Sequence, residues 1–188
     1  MKKRLIIGIS GASGAIYGVK ALELLKETDI ETHLIISKAA ELTLQNENLP
    51  NGKEIAKLAD FIHKPNEIGA SIASGSFKTI GMLIAPCSIK TMSEIANCIS
   101  SNLISRAADV QLKERRKVVL MVRETPLHFG HLQNMTTLTQ MGAIIFPPVP
   151  AFYSGLNSID DMVSQSVARA LDILDIEIPI LRRWGDKN

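Results

Sequence analysis

Three glycines at a fixed interval are the first residues in this chain whose spacing could do chemistry. Gly8, Gly11 and Gly14 punctuate the stretch RLIIGISGASGAIYG, Arg4 to Gly18. A strand that turns through small residues into a helix leaves backbone N–H groups free at the helix start, and such a turn binds phosphate. The interval is G-x-x-G-x-x-G, not the G-x-G-x-x-G of dinucleotide sites. A dinucleotide site also wants an acid at the end of the second strand, whereas Thr32–Ile36 runs into Ser37 and Lys38. The spacing therefore favours a mononucleotide phosphate. A tight turn that needs small residues for helix–strand packing accounts for the same glycines and stays open.

Other charged residues are ambiguous. Arg106 and Lys113 share a helical face about 10 Å apart along the axis, but Asp109 lies between them, which suits a surface ion ladder. Arg169 sits at the edge of an apolar stripe beside Met162, where it either snorkels or meets an anion. His128 and His131 could share a helix face, but no third ligand stands at a metal-binding spacing. The adjacent pair Asp160-Asp161 follows Ser158 and reads as a helix start.

The elements that must position these residues alternate. Strands are expected at Leu5–Ile9, Thr32–Ile36, Met82–Ala85, Val118–Val122 and Ala143–Phe146. Helices are expected at Ala15–Lys26, Lys38–Asn46, near Lys53–Asp60, after Ser88, at Leu103–Arg116, at His128–Met141 and from Ser158 to Leu174, with residues 61–80 irregular. The pattern predicts an α/β fold, a parallel sheet covered on both faces. Ligands in such sheets bind beyond the strands' carboxyl ends. That rule selects Ser10–Ser13, Ser37, Cys87–Thr91, Arg123–Glu124 and Pro147–Tyr153.

Composition sets the bounds. The 188 residues are 46% hydrophobic and 21% charged, enough for one domain with a real core, expected to span residues 1–188. A net charge of +2, with short basic runs at Lys2-Lys3-Arg4 and Arg115-Arg116-Lys117, argues against nucleic acid as a partner. No apolar run is long enough for a membrane span. The first apolar run leads into the glycine turn without a cleavage pattern, so a cytoplasmic protein is expected. Cys87 and Cys98 do not make a disulfide framework and read as reduced, structural residues.

Taken together, eight segments resemble the UbiX-type flavin prenyltransferases, a family that includes partner subunits of phenolic-acid decarboxylases. They are GISGASGAIYG (8–18), THLIISKAA (32–40), ASGSF (73–77), APCSIKT (85–91), SRAADVQLKERR (105–116), VRETPLH (122–128), PPVPAFY (147–153) and VARALD (167–172). The resemblance implies a three-layer α/β/α Rossmann-like domain in a homo-oligomer, commonly a dodecamer. It implies non-covalent FMN as cofactor and dimethylallyl monophosphate as donor. The prenyl group is joined to N5 and C6 of reduced FMN, and the prenylated FMN serves UbiD-type decarboxylases in ubiquinone synthesis or aromatic-acid decarboxylation. No metal is implied.

Carried over by residue, the resemblance places FMN contacts at Gly11, Ala12, Ser13, Ser37, Ser88, Ile89, Lys90, Thr91 and Arg123. It places prenyl-phosphate contacts at Lys113, Tyr153 and Arg169, with Arg106 and Glu124 nearby. Glu47 falls where the family has a glutamate that handles the N5 proton together with the loop serine, here Ser13; Glu124 joins them as a catalytic candidate. On residue type alone Glu47 would cap a helix end or face solvent. The basic cluster suits a departing monophosphate without metal. One departure stands out: some members carry a tryptophan shortly before the A-S-G-S segment, where this chain has Glu67-Ile68-Gly69-Ala70. Its one tryptophan, Trp184, lies in the tail. Two rival functions are an FMN-dependent cysteine decarboxylase, whose P-x-M-N motif is missing from the nearest string, His131-Leu132-Gln133-Asn134-Met135, and an FMN-binding accessory subunit of a decarboxylase.

Overall fold

A computed structural model describes residues 2–185. Six strands form one parallel sheet: β1 (Arg4–Ile9), β2 (Glu31–Ile36), β3 (Phe61–His63), β4 (Gly81–Cys87), β5 (Lys117–Val122) and β6 (Ile144–Ile145). The helices are α1 (Ile16–Leu25), α2 (Lys38–Asn46), α3 (Gly52–Ile55), α4 (Ile89–Ala96), α5 (Leu103–Lys113), α6 (Phe129–Gln140) and α7 (Ile159–Ile173). The strand order is β3-β2-β1-β4-β5-β6. The chain therefore winds one way from β1 to β3 and the other way from β4 to β6. The reversal opens a crevice beyond the carboxyl ends of β1 and β4.

The central strands are continuous apolar runs because both sheet faces are covered. Alternate residues of β1 divide between two cores. Leu5, Ile7 and Ile9 pack with Leu22 and Leu25 of α1 and with Val167 and Leu171 of α7. Ile6 packs on the opposite face with Met92 and Ile95 of α4 and with Ile104 and Ala108 of α5. Helix α6 joins that second layer through Leu138. The three-layer α/β/α Rossmann-like sheet is the architecture expected. Among the described residues, no helix is long and apolar enough to cross a membrane.

Several boundaries differ from expectation, among them β6, which is Ile144–Ile145 rather than Ala143–Phe146. Residues 61–80 hold a sixth strand, β3, whose three residues are too few to show a period. The helix expected near Lys53–Asp60 is a single turn, α3, followed by the 3₁₀ turn Ala56–Leu58. Strand β4 continues through Pro86 to Cys87, with its register against β5 shifting between Ile84 and Cys87. Helix α5 stops at Lys113, and Arg115 then takes a left-handed conformation with φ 57°.

Candidate functional site

The crevice between β1 and β4 is pinned by one buried serine. Ser10 donates its N–H to the Pro86 carbonyl at 3.2 Å and its hydroxyl to the same oxygen at 2.8 Å. Its Oγ then accepts the Ser88 N–H at 2.8 Å. The two loops that follow β1 and β4 are thereby held as one unit.

Two helices open beside that unit. Ser37 begins α2 and accepts the Ala40 N–H at 3.1 Å. Ser88 begins α4, accepting the Thr91 N–H at 3.3 Å and donating its hydroxyl to Thr91 Oγ1 at 3.1 Å. A third start, that of α5, is capped by Asn102. Gly11, Ser37, Ser88, Lys90, Thr91 and Asn102 all line one cavity of about 440 Å³, with Lys38 a second cation on its wall. Helix N-termini carry partial positive charge, so this wall favours an anion. Gly11 is required by close approach: a Cβ there would lie 2.3 Å from the Ala39 Cβ. Ile89 packs its side chain against the second core and does not line this cavity.

Helix α1 opens differently. The N–H groups of the two residues before it, Gly14 and Ala15, already hold an anion, the Glu47 carboxylate at the end of α2. Glu47 Oε1 accepts from Ser13 Oγ and from the Gly14 N–H, each at 2.7 Å, and Oε2 accepts the Ala15 N–H at 3.0 Å. The Gly14–Ala15 end of the expected phosphate cradle is thus taken by the protein's own carboxylate. The macrodipole favours that placement. Gly14, with φ 95°, supplies the backbone conformation that turns the loop towards it. Ser13, Glu47, Tyr17, Arg123 and Pro148 line a second cavity of about 510 Å³. Burial pushes the Tyr17 phenol up. Arg123 is exposed there and follows β5, its N–H donating to the Cys87 carbonyl at 3.1 Å. Glu124 is exposed next to it and accepts the Thr125 N–H at 3.0 Å.

A third cavity, of about 320 Å³, is lined by Tyr153, Arg169, Asp172 and the tail residues Arg182, Arg183 and Trp184. Asp172 pairs with both Arg169 and Arg183. Trp184 meets Tyr153 edge-to-face with ring centres 5.1 Å apart. Gln165 of α7 straps the tail in place, donating to the Ile180 carbonyl at 2.6 Å and accepting the Arg182 N–H at 2.9 Å. Sequence reasoning placed Tyr153 and Arg169 but missed Arg182, Arg183 and Trp184 as cavity residues. The tail has no helix or strand period, and only its lone tryptophan marks it.

Arg106 and Lys113 do not join either group within the chain. Arg106 pairs with Asp109 at 2.7 Å, while Lys113 pairs with Glu114 rather than with Asp109. Both lie on α5, in the layer across the sheet from Arg169 on α7.

The remaining chemistry-bearing residues have structural partners. His128 caps α6 by accepting the Gly130 N–H at 3.1 Å, with its ring 3.6 Å from that of His131. Asp160 pairs with Lys20 at 2.8 Å, and Asp161 accepts the Asn157 N–H at 3.1 Å while its own N–H reaches Ser158 Oγ at 3.0 Å. Among the described residues there is no cluster of three or more metal-ligating side chains. Cys87 is buried, which pushes its thiol far up, and Cys98 is exposed. Both are free thiols.

Residues 1–171 match the profile of a family described as Flavoprotein. The flavin prenyltransferase UbiX of Escherichia coli strain K12 is 56% identical over 185 residues, covering 97% of this chain and 98% of its own. The structure of AnUbiX in complex with FMN and dimethylallyl pyrophosphate is 45% identical, with a TM-score of 0.97 and 100% of both chains covered. A dodecameric FMN-dependent UbiX-like decarboxylase from Escherichia coli O157:H7 is 47% identical, with a TM-score of 0.94, covering 97% of this chain and 100% of its own. This chain belongs to the Flavoprotein family and, within it, to the UbiX flavin prenyltransferases.

Proposed function

We propose that this protein transfers a dimethylallyl group from dimethylallyl monophosphate to N5 and C6 of reduced FMN. The prenylated FMN would be used by a UbiD-type decarboxylase, in ubiquinone synthesis or aromatic-acid decarboxylation. The reaction is assigned to the cytoplasm and to a homo-oligomer, with the dodecamer as the expected size. The observation that carries the assignment is the Ser13–Glu47 hydrogen bond in a cavity that also holds Arg123.

The residues present fit FMN. The 440 Å³ cavity is within the size range of cofactor sites and offers three helix starts, hydroxyl groups at Ser37, Ser88 and Thr91, and two lysines. A neutral ligand would not need so many donors. When bound in its reduced form, FMN supplies the nucleophilic nitrogen to which the prenyl carbon is joined.

The protein's own share is proton handling and charge neutralisation. Ser13 donates to Glu47, so the lone pairs on Ser13 Oγ are available to accept a proton from the cavity side while its own passes to Glu47 Oε1. The Gly14 and Ala15 N–H groups hold the carboxylate still during that exchange. Arg169 can grip a departing phosphate bidentately, and Tyr153 can donate its phenol to the same group. Trp184, against Tyr153, offers the aromatic face that the Glu67–Ala70 segment lacks, and an allylic cation is attracted to such a face. Lys113 and Arg106 would add to the phosphate charge only from a second copy of the chain, because α5 and α7 lie on opposite sheet faces.

Anaerobic incubation of the FMN-loaded protein with dithionite and dimethylallyl monophosphate, followed by flavin mass analysis, tests the assignment. A flavin heavier by one prenyl group is expected. Unmodified flavin with the monophosphate and modified flavin with the pyrophosphate would reassign the donor. Unmodified flavin with both would sink the proposal.

A further inference from the structure

A carboxylate behind the 440 Å³ cavity has no part in the chemistry above. Glu94, on α4, is only 9% exposed, yet it accepts from three groups. Lys90 Nζ lies 3.0 Å and Ser101 Oγ 2.7 Å from Oε1, and Asn102 Nδ2 lies 3.1 Å from Oε2. Lys90, Ser101 and Asn102 line the cavity, and Glu94 does not. Its contacts reach across the link between α4 and α5 and fix the start of a second helix. With Asn102 Nδ2 held by Glu94, Asn102 Oδ1 faces α5 and accepts the Ile104 N–H at 2.8 Å and the Ser105 N–H at 3.3 Å.

The electrostatics make this placement informative. A buried carboxylate is costly unless it is paired, and apolar residues of similar volume would serve stability as well. A negative charge behind a wall built to favour an anion works against that anion. What it adds is geometry: it gives the largely solvent-exposed Lys90 ammonium a fixed partner beside the wall, and it orients Ser101 and the Asn102 amide that caps α5.

We infer that Glu94 is a positioning residue for the anionic end of the flavin, aligning Lys90, Ser101 and the α5 start with its phosphate. This rests on the flavin reading above and deepens it. Glu94 touches no substrate. It acts through the three groups it holds.

FMN and riboflavin differ by the phosphate alone, so their affinities separate positioning from general structural support. Equilibrium titration of flavin fluorescence, alongside thermal melts, is carried out on the wild type, Glu94→Ala and Glu94→Gln. Glu94→Ala is expected to lose about tenfold or more in FMN affinity, near the worth of one charge-assisted hydrogen bond, with riboflavin affinity changed by less than about twofold. Glu94→Gln keeps an acceptor for Ser101 and Lys90 but turns an amide nitrogen towards Asn102, so an intermediate loss specific to FMN is expected. If Glu94→Ala does not fold, Glu94→Gln decides by the same comparison. Unchanged FMN affinity in a folded variant, or equal losses for FMN and riboflavin, would overturn the inference. A wild-type protein that bound neither flavin would instead overturn the flavin reading beneath it.

Discussion

Ser13 and Glu47 show what a residue can reveal alone and what it cannot. They are separated by 34 positions, and no local period links them. On sequence, Ser13 is a small turn residue and Glu47 a helix end. Both descriptions are correct in the structure: Glu47 terminates α2, and Ser13 lies in the turn before α1. Only the approach of the end of α2 to the turn before α1 turns them into a hydrogen-bonded pair. The resemblance to a family supplied that link before the fold did. The pair also permits a clean substitution. In Ser13→Ala the carboxylate keeps its two backbone donors, so loop and cavity should persist. Single-turnover prenylation at saturating FMN should fall on the order of 10²-fold, well beyond any change in FMN affinity from the lost Ser13 contact, since a positioned proton carrier contributes about that much. A rate within a few-fold of wild type would remove Ser13 from the relay.

At the scale of elements, sequence was most informative where a long period coincided with a cap. Lys38–Asn46 was expected and found without change, because Ser37 caps a helix whose polarity pattern is regular. Strand β3 was missed because Phe61, Ile62 and His63 form an edge strand held by tertiary partners. His33 on β2 stacks on Phe61 at 4.9 Å, meets Phe77 edge-on at 5.1 Å, and lies 3.0 Å from His63 through Nδ1 and Nε2. His33 Nε2 is 3.0 Å from Glu31 Oε1, which also takes Arg4 Nε at 2.7 Å. With Nε2–H donating to Glu31, neutral His33 accepts at Nδ1 from His63. Burial lowers the pKa of both histidines; for His33 the Glu31 carboxylate opposes that shift and Arg4 adds to it. Groups whose pKa is depressed on folding contribute stability that is complete above the unfolded value, about 6.5, and is lost as pH falls through the folded values. Thermal stability should therefore decline as pH falls below about 6.5, because the unfolded chain takes up protons that the folded edge resists. His33→Leu should flatten that decline, and parallel pH profiles for the two proteins would show that the edge does not set it.

For the molecule as a whole, sequence conveyed the layers but not which side of the sheet each cation takes. Alternation of strands and helices predicts helices on both faces, and the right-handed crossover rule with the reversal of strand order at β1 and β4 places α1 opposite α4 and α5, while α7, which follows the last strand, packs on the α1 side. The consequence falls on the basic residues. Arg169 and Tyr153 share a cavity beside α7, whereas Lys113 and Arg106 stand across the sheet on α5. On the proposed function, one prenyl phosphate would meet all of them where two copies join. The exposed Phe129, Val149, Phe152, Ile159 and Trp184 offer apolar surface for that contact. Mixing variants decides whether the site is shared. Lys113→Ala and Arg169→Ala should each bind FMN and fail to prenylate it. Co-expressed with different tags and purified through both, they should regain activity at about one quarter of the sites in a random one-to-one mixture, because those sites draw Lys113 from one subunit and Arg169 from the other. A site built within one chain has no intact combination to offer, so doubly tagged mixed oligomers with no activity would place both groups on the same subunit's substrate.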